Sequence, residues 1–267
     1  MGSLPAIDLL REKIRRLEAG ERRLAGVLPF GMAEMDARLP GGGLALGALH
    51  EVAGAGNGML DGAAAALFTA GIMARTKGQI LWCVRNQDLF APGLAAAGLS
   101  ADRVIYVEAG DEDSALACFE EGLRHGGLAG VVAEIGRLPM PSSRRLQLAA
   151  ESSGTLGIAI RRWRRQRDAA DFGQPTAAAT KWRVSVLPSA PMAAPGIGRT
   201  RWLVELMRCR AGESADFEVE GCDHEGRLAL PAELADRSAA ARPAEARLGA
   251  AGPGRAQPAQ ADTGRRA

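Results

Sequence analysis

Between His50 and Phe68 the chain reads HEVAGAGNGMLDGAAAALF. A short apolar strand runs into Gly54, Gly56 and Gly58, and these run into an alanine-rich segment with the composition of a buried helix. Strand, glycine loop and helix in that order is the frame of a phosphate-binding loop. In G-x-x-x-x-G-K-[ST], backbone N–H groups cradle the phosphates, the lysine offsets their charge and the hydroxyl holds Mg²⁺. Here the lysine and the hydroxyl are missing. With Gly54 as the first glycine, Leu60 stands at the lysine position and Asp61 at the hydroxyl position. Shifting by one residue puts Met59 and Leu60 there instead. Neither register supplies an ammonium, and an aspartate facing a triphosphate repels it. The glycines by themselves read as a tight strand-to-helix turn, so the neighbouring segments carry the decision on whether that turn descends from a phosphate loop.

Outward from this loop the chain alternates strand and helix. Strands are expected at 48–53, 79–84, 103–107, 129–133, 155–160 and 182–187, and helices at 60–76, 89–97, 112–125 and 141–153. Near-continuous apolar strands separated by helices indicate parallel βαβ units with both sheet faces covered. The stretch RWLVELMRCRAGESADFEVEGCDHEGRLAL, from Arg201 to Leu230, reads as two antiparallel strands and a short third extending the sheet at one edge. Asp111, Glu112 and Asp113 suit a helix N-cap, as do Ser142 and Ser143 before RRLQLAAES. Residues 1–26 are read as an amphipathic helix and linker, with Ile7, Leu10, Ile14 and Leu17 on one face. Residues 27–235 form the core domain. Residues 236–267, nearly devoid of large apolar side chains, are expected to be disordered.

The 267 residues are 47% hydrophobic, enough for one large soluble domain. No apolar run approaches the roughly 18 residues of a membrane span, and the N-terminus lacks signal-peptide order, so a cytoplasmic protein with no membrane contact is expected. Cys83, Cys118, Cys209 and Cys222 are far apart and form no CxxC pair. They read as reduced, mostly buried thiols. His50, His125 and His224 are equally scattered, so no metal site, no catalytic triad and no cofactor is expected. Net charge is only +2, which does not by itself announce a nucleic-acid binder.

The order of these segments resembles the core of the bacterial recombinase RecA. GMAEMDARLPGGGLALGALHEVAG is similar to that family's approach to its phosphate loop. GLAGVVAEIGRL falls where the Walker B strand lies, with Glu134 at the position of the family's aspartate. The position of the catalytic glutamate is taken by Asn86, or Gln87 one residue on, and an amide cannot act as the base that activates water. Three altered sites in the right order imply a RecA-like fold, mainly parallel and helix-flanked, without hydrolysis. A closer resemblance is to the ImuA family, carried by LHEVAGAG, GAAAALFTAGIMAR, ILWCVRNQDLFAPGLAAAGL, DRVIYVEAGDE, IRRWRR, WRVSVLPSAP and GRLALPAELADR, over roughly residues 5 to 236. It implies a non-catalytic adaptor in SOS-induced translesion synthesis and mutagenesis. Its partners would be an ImuB-like protein and an error-prone DNA polymerase III α subunit, with RecA and single-stranded DNA as further contacts. Leu10, Ile14 and Leu17 are the candidate partner-binding residues. The alternatives are a SulA-like cell-division inhibitor and a divergent RecA-like ATPase.

The segment AIRRWRRQRDAADFGQPTAAATKWRV sets Arg161, Arg162, Arg164, Arg165 and Arg167 around Trp163. DFGQPTAAATKW is similar to the end of RecA's second DNA-binding loop. These residues, with Lys181, are candidates for single-stranded DNA: arginines pair with phosphates and an indole face stacks on a base. A solvated arginine-rich edge with Trp163 in the core, or a docking surface for an acidic partner, would account for the same residues.

Overall fold

The computed structural model describes residues 26–56, 58–163, 166–189, 198–210 and 212–231, with 166–168 described in their backbone only. The chain divides into two units, Met1–Pro231 and Ala232–Ala267, and every described residue belongs to the first. In chain order its elements are β1 (Val27–Leu28), α1 (Ala33–Asp36), β2 (Leu44–Ala45), β3 (Leu49–Gly54), α2 (Met59–Ala74), β4 (Ile80–Val84) and α3 (Ala91–Ala96). They continue with β5 (Val104–Glu108), α4 (Glu112–His125), β6 (Gly130–Ile135), α5 (Met140–Ser153), β7 (Leu156–Arg161), β8 (Thr180–Leu187), β9 (Arg201–Cys209) and β10 (Ala215–Glu220). Short 3₁₀ turns span Ala101–Arg103 and Gln166–Gly173.

Eight strands form one sheet in the order β10-β9-β8-β3-β7-β6-β4-β5. From β8 to β5 every neighbouring pair is parallel, and β9 and β10 add antiparallel at the other end. The central strands β3, β6 and β7 are buried along their whole length, as expected of parallel strands covered on both faces. β9 instead alternates, with Trp202, Val204 and Leu206 buried and Leu203 and Glu205 half-exposed, the signature of a one-sided antiparallel strand. The mainly parallel, helix-flanked sheet with an antiparallel extension is the architecture expected from the sequence, and the boundaries of the expected βα elements move by at most two residues. The small antiparallel pair β1–β2 was not anticipated.

Two cores sandwich the sheet. One, beneath α2 and α3, gathers Phe30, Phe68, Trp82, Trp182 and Trp202. Phe30 stacks on Phe68 at 5.9 Å, and both tilt against Trp182 at 5.5 and 5.9 Å. The other, beneath α4 and α5, holds Cys83, Phe119, Leu123, Leu146 and Ala159. All four cysteines are free, two buried and two half-buried. Asp111 caps α4 as expected, accepting from Ser114 N at 2.8 Å. The α5 cap differs from expectation: Pro139 occupies the N-cap and Ser142 and Ser143 lie in the first turn. The fixed φ of Pro141 suits the start of a helix. Ser143 Oγ instead donates to Met140 O and accepts from Ala177 N. Among the described residues no helix is long and apolar enough to cross a membrane.

Candidate functional site

In a parallel sheet the ligand crevice lies beyond the carboxyl ends of the strands. Here that edge collects the loop after β3, residues 134–136 at the end of β6, 161–163 at the end of β7 and 85–88 after β4. The first joins β3 to α2 tightly. A Cβ on Gly54 would sit 2.6 Å from the backbone carbon of Asp61, so only glycine allows the loop to press on the first turn of α2. Asp61 turns back into the loop. Its Oδ1 accepts from Val186 N at 3.3 Å, and a Cβ on Gly56 would lie 3.1 Å from its Oδ2. The cradle thus carries its own carboxylate. At about 4 Å, a like charge on a ligand costs on the order of 4 kcal/mol at an effective dielectric near 20. Leu60 and Met59 point outward, 74% and 92% exposed.

Glu134 ends β6 nearly buried, and Arg162, just past β7, closes over it. Arg162 Nη1 donates to Glu134 Oε2 at 2.6 Å and to Asp88 Oδ1 at 2.9 Å, while Nη2 donates to Asp88 Oδ2 at 2.7 Å. Trp82 Nε1 donates to the other Glu134 oxygen at 3.3 Å. Burial raises the Glu134 carboxyl above its ordinary value, against the pull of Arg162. Hydrogen bonding to Arg162 lowers Asp88, and Arg162 itself is raised, chiefly by its bonds to Asp88. One guanidinium therefore bridges both carboxylates, and with Trp82 it already hydrogen-bonds all four of their oxygens. Gln87, at one of the positions aligned with a catalytic acid, donates to Glu108 at 2.8 Å. Among the described residues no cluster of three or more His, Cys, Asp or Glu could hold a metal.

The arginine–tryptophan segment divides. Arg161 is fully buried: its Nη1 donates to Glu51 Oε2 at 2.7 Å, and its Nη2 donates to Gly136 O at 2.9 Å and to Asp171. Lys181 faces the same Glu51 from the adjacent strand, at 3.3 Å, and donates to Phe172 O at 3.0 Å and Gln174 O at 2.6 Å. Its ammonium is lowered by burial. Strand register explains the meeting, since Glu51 of β3 stands opposite Lys181 of β8. These two cations are committed to Glu51 and to fastening segment 171–176 on the sheet. Arg162 is likewise engaged with carboxylates. Trp163 is half-buried against Phe172, with ring centroids 6.0 Å apart. Arg164 and Arg165 lie outside the described residues, as do Leu10, Ile14, Leu17 and the 236–267 tail; the side chain of Arg167 does too.

Sequence reading missed Glu51, Asp88, Asp171 and Thr176. Glu51 carried a usable signal: a carboxylate inside the apolar strand LHEVAG must be buried, and a buried charge needs partners. Thr176 Oγ1 donates to it as well. His50, beside it, is wholly buried. Its Nε2 lies 2.8 Å from Ala45 O and its Nδ1 2.7 Å from Thr180 Oγ1, and Thr180 Oγ1 accepts from Trp182 Nε1 at 2.7 Å. Burial pushes its pKa down to about 4, so it is a neutral structural residue.

The mainly parallel, helix-flanked sheet with its antiparallel extension is a RecA-like fold. Among solved structures, the RadB recombinase superposes with a TM-score of 0.51 at 17% identity, over 76% of this chain and 99% of its own, a likeness of fold. SulA from Pseudomonas aeruginosa matches at a TM-score of 0.37 and 22% identity, over 43% of this chain and 98% of its own. No family model matches the chain. Protein ImuA of two Caulobacter vibrioides strains is 39% identical over 248 residues, covering 87% of this chain and 100% of the relative. The chain belongs to the ImuA family.

Proposed function

We propose that this chain is a non-catalytic adaptor in SOS-induced translesion synthesis and mutagenesis. It works with an ImuB-like protein and an error-prone DNA polymerase III α subunit, as membership of the ImuA family implies. The observation that carries the non-catalytic half is the chemistry of the carboxyl edge. Leu60 and Asp61 stand where a phosphate loop needs an ammonium and a hydroxyl, and Arg162 already neutralises Glu134. Such a crevice has neither the charge to hold a triphosphate nor a base to activate water. The altered phosphate loop is then retained as a scaffold, and the protein acts through its surfaces. RecA and single-stranded DNA are further contacts, the latter through Trp163, Arg164, Arg165 and Arg167.

The test has two arms. Nucleotide titration of purified protein is expected to give no binding and no turnover; turnover lost on changing Glu134 would refute the non-catalytic reading. Affinity capture of the full chain from DNA-damaged cells is expected to recover the ImuB-like protein and the polymerase. Their absence would refute the adaptor reading.

A further inference from the structure

The two edges of the sheet differ. β10, at one end, carries Asp216, Glu218 and Glu220. Its last residue is already paired, since Glu220 N donates to Ala229 O at 2.7 Å and Ala229 N donates to Glu220 O at 3.4 Å. Charge and a covering segment are common guards of an edge strand. β5, at the other end, has neither along Val104–Val107. Its sequence is VIYVE, and it runs in regular register with β4, with no proline and no bulge. Its one charged residue, Glu108, comes last and accepts from Gln87. Ile105 is 48% exposed and Tyr106 40%.

The backbone of β5 determines what this edge accepts. Successive residues of a strand turn their N–H and C=O groups to opposite sides. Ala109 N donates to Val84 O at 3.0 Å, so residues 105, 107 and 109 face β4, while Val104, Tyr106 and Glu108 face outward. Val104 N–H is taken by Ala101 O. Among the described residues nothing pairs with the N–H groups of Tyr106 and Glu108, or with the carbonyls of Val104, Tyr106 and Glu108. An extended strand presents donors and acceptors at this spacing.

We propose that β5 of a second copy of this chain covers the edge, antiparallel about a two-fold axis at Tyr106. The strand is complementary to itself in that register. Each Tyr106 N–H donates to the other copy's Tyr106 O, and each Glu108 N–H to the other copy's Val104 O, so both unpaired N–H groups of the edge find acceptors. Ile105 shares the α4 face of the sheet with Val107, and Tyr106 shares the α3 face with Val104. Ile105 therefore lies opposite Val107 of the second copy on one face, and the two Tyr106 rings meet on the other, as cross-strand pairs that stabilise a sheet. The register also keeps the carboxylates apart. Glu108 lies opposite Val104 of the second copy, whereas an axis at Val107 would set the two Glu108 side chains at diagonal positions. An isologous contact of this kind closes as a dimer and joins two eight-stranded sheets into one. The pairing goes beyond the adaptor reading and does not rest on it.

Analytical ultracentrifugation of the full-length chain across a dilution series tests this, with circular dichroism to confirm folding. Tyr106→Pro removes the outward N–H and leaves the bonds to β4 in place. Ile105→Lys sets on the edge a charge of the kind that guards edge strands. The wild type is expected to be a dimer that dissociates on dilution. Each variant is expected to raise the dissociation constant about tenfold or more, since symmetry doubles every lost contact. Ile105 is exposed, so Ile105→Lys keeps the test decisive if Tyr106→Pro does not fold. A wild type that stays monomeric would overturn the proposal, including one whose edge is taken by an extended segment of another protein. So would a dimer that a folded variant leaves intact, because its interface would lie elsewhere.

Discussion

Arg162 and Glu134 meet at 2.6 Å on the carboxyl edge of the sheet, the carboxylate almost wholly buried and the guanidinium about a third exposed. Removing the cation leaves a buried charge facing only an indole N–H. Arg162→Ala should therefore cost about 2 kcal/mol of stability at pH 7, below the 3–5 of a fully buried pair. Adding Glu134→Gln should restore most of it. Urea unfolding of the single and double variants checks this, and equal loss in both would reject the pairing as the cause.

The buried His50 makes stability acid-sensitive. Its pKa falls from 6.5 to about 4 on folding, so between those values the unfolded chain binds the extra proton. Stability should fall as pH drops from 6.5 towards 4, with a slope from this group of up to about 1.4 kcal/mol per pH unit, and this contribution should be flat above pH 7.5. Unfolding midpoints from pH 4.5 to 7.5 in wild type and His50→Gln provide the measurement; the variant should show a shallower acid slope.

Gly98 has φ +92°, and a Cβ there would lie 2.5 Å from Gly226 N. Gly98→Ala should destabilise by about 2–4 kcal/mol, from backbone strain and collision together. Gly58, whose Cβ would meet nothing within 4 Å, is the control. Gly58→Ala should lie within about 1 kcal/mol of wild type by thermal unfolding.

Placing Lys at 60 and Thr at 61 rebuilds the missing groups of the loop and removes its internal carboxylate. Leu60→Lys/Asp61→Thr should gain weak phosphate or nucleotide binding, measurable by calorimetry. It should show no turnover, because Arg162 still occupies Glu134 and Gln87 offers no base. Hydrolysis by this variant would show that the crevice lacked only its cation.

The arginine segment yields a contrast. Arg164, Arg165 and Arg167 changed together to Ala should weaken single-stranded DNA binding. They should also flatten its salt dependence by about 0.7 in log–log slope for each phosphate no longer neutralised. Arg161→Ala or Lys181→Ala should instead lower stability, since each opens the buried network around Glu51. Salt titration of DNA affinity, beside thermal unfolding, separates the two groups.

The parallel core was legible because apolar runs such as Gln79–Val84 and Thr155–Ile160, punctuated by glycines and helices of 3.6 periodicity, carry local information. The cap at Asp111 was equally local. The cap on α5 was misread because Ser142 and Ser143 suit an N-cap in isolation, whereas Pro139 and Pro141 shift the helix start upstream. In the loop, the absence of an ammonium was plain from Leu60 and Asp61. That Asp61 folds back to the Val186 amide was not, since residues 61 and 186 meet only when β8 joins β3.

The chain's covalent order was enough to specify its elements and their parallel stacking, because each of these depends on neighbours a few residues apart. Which arginines are available was beyond it. Arg161, Arg162 and Trp163 are consecutive, yet one is locked on Glu51, one bridges Asp88 and Glu134, and one packs on Phe172. Strand register and the closing of the sheet set those pairings. They bring together carboxylates and cations separated by 28 to 110 residues, and burial then makes each meeting energetically obligatory.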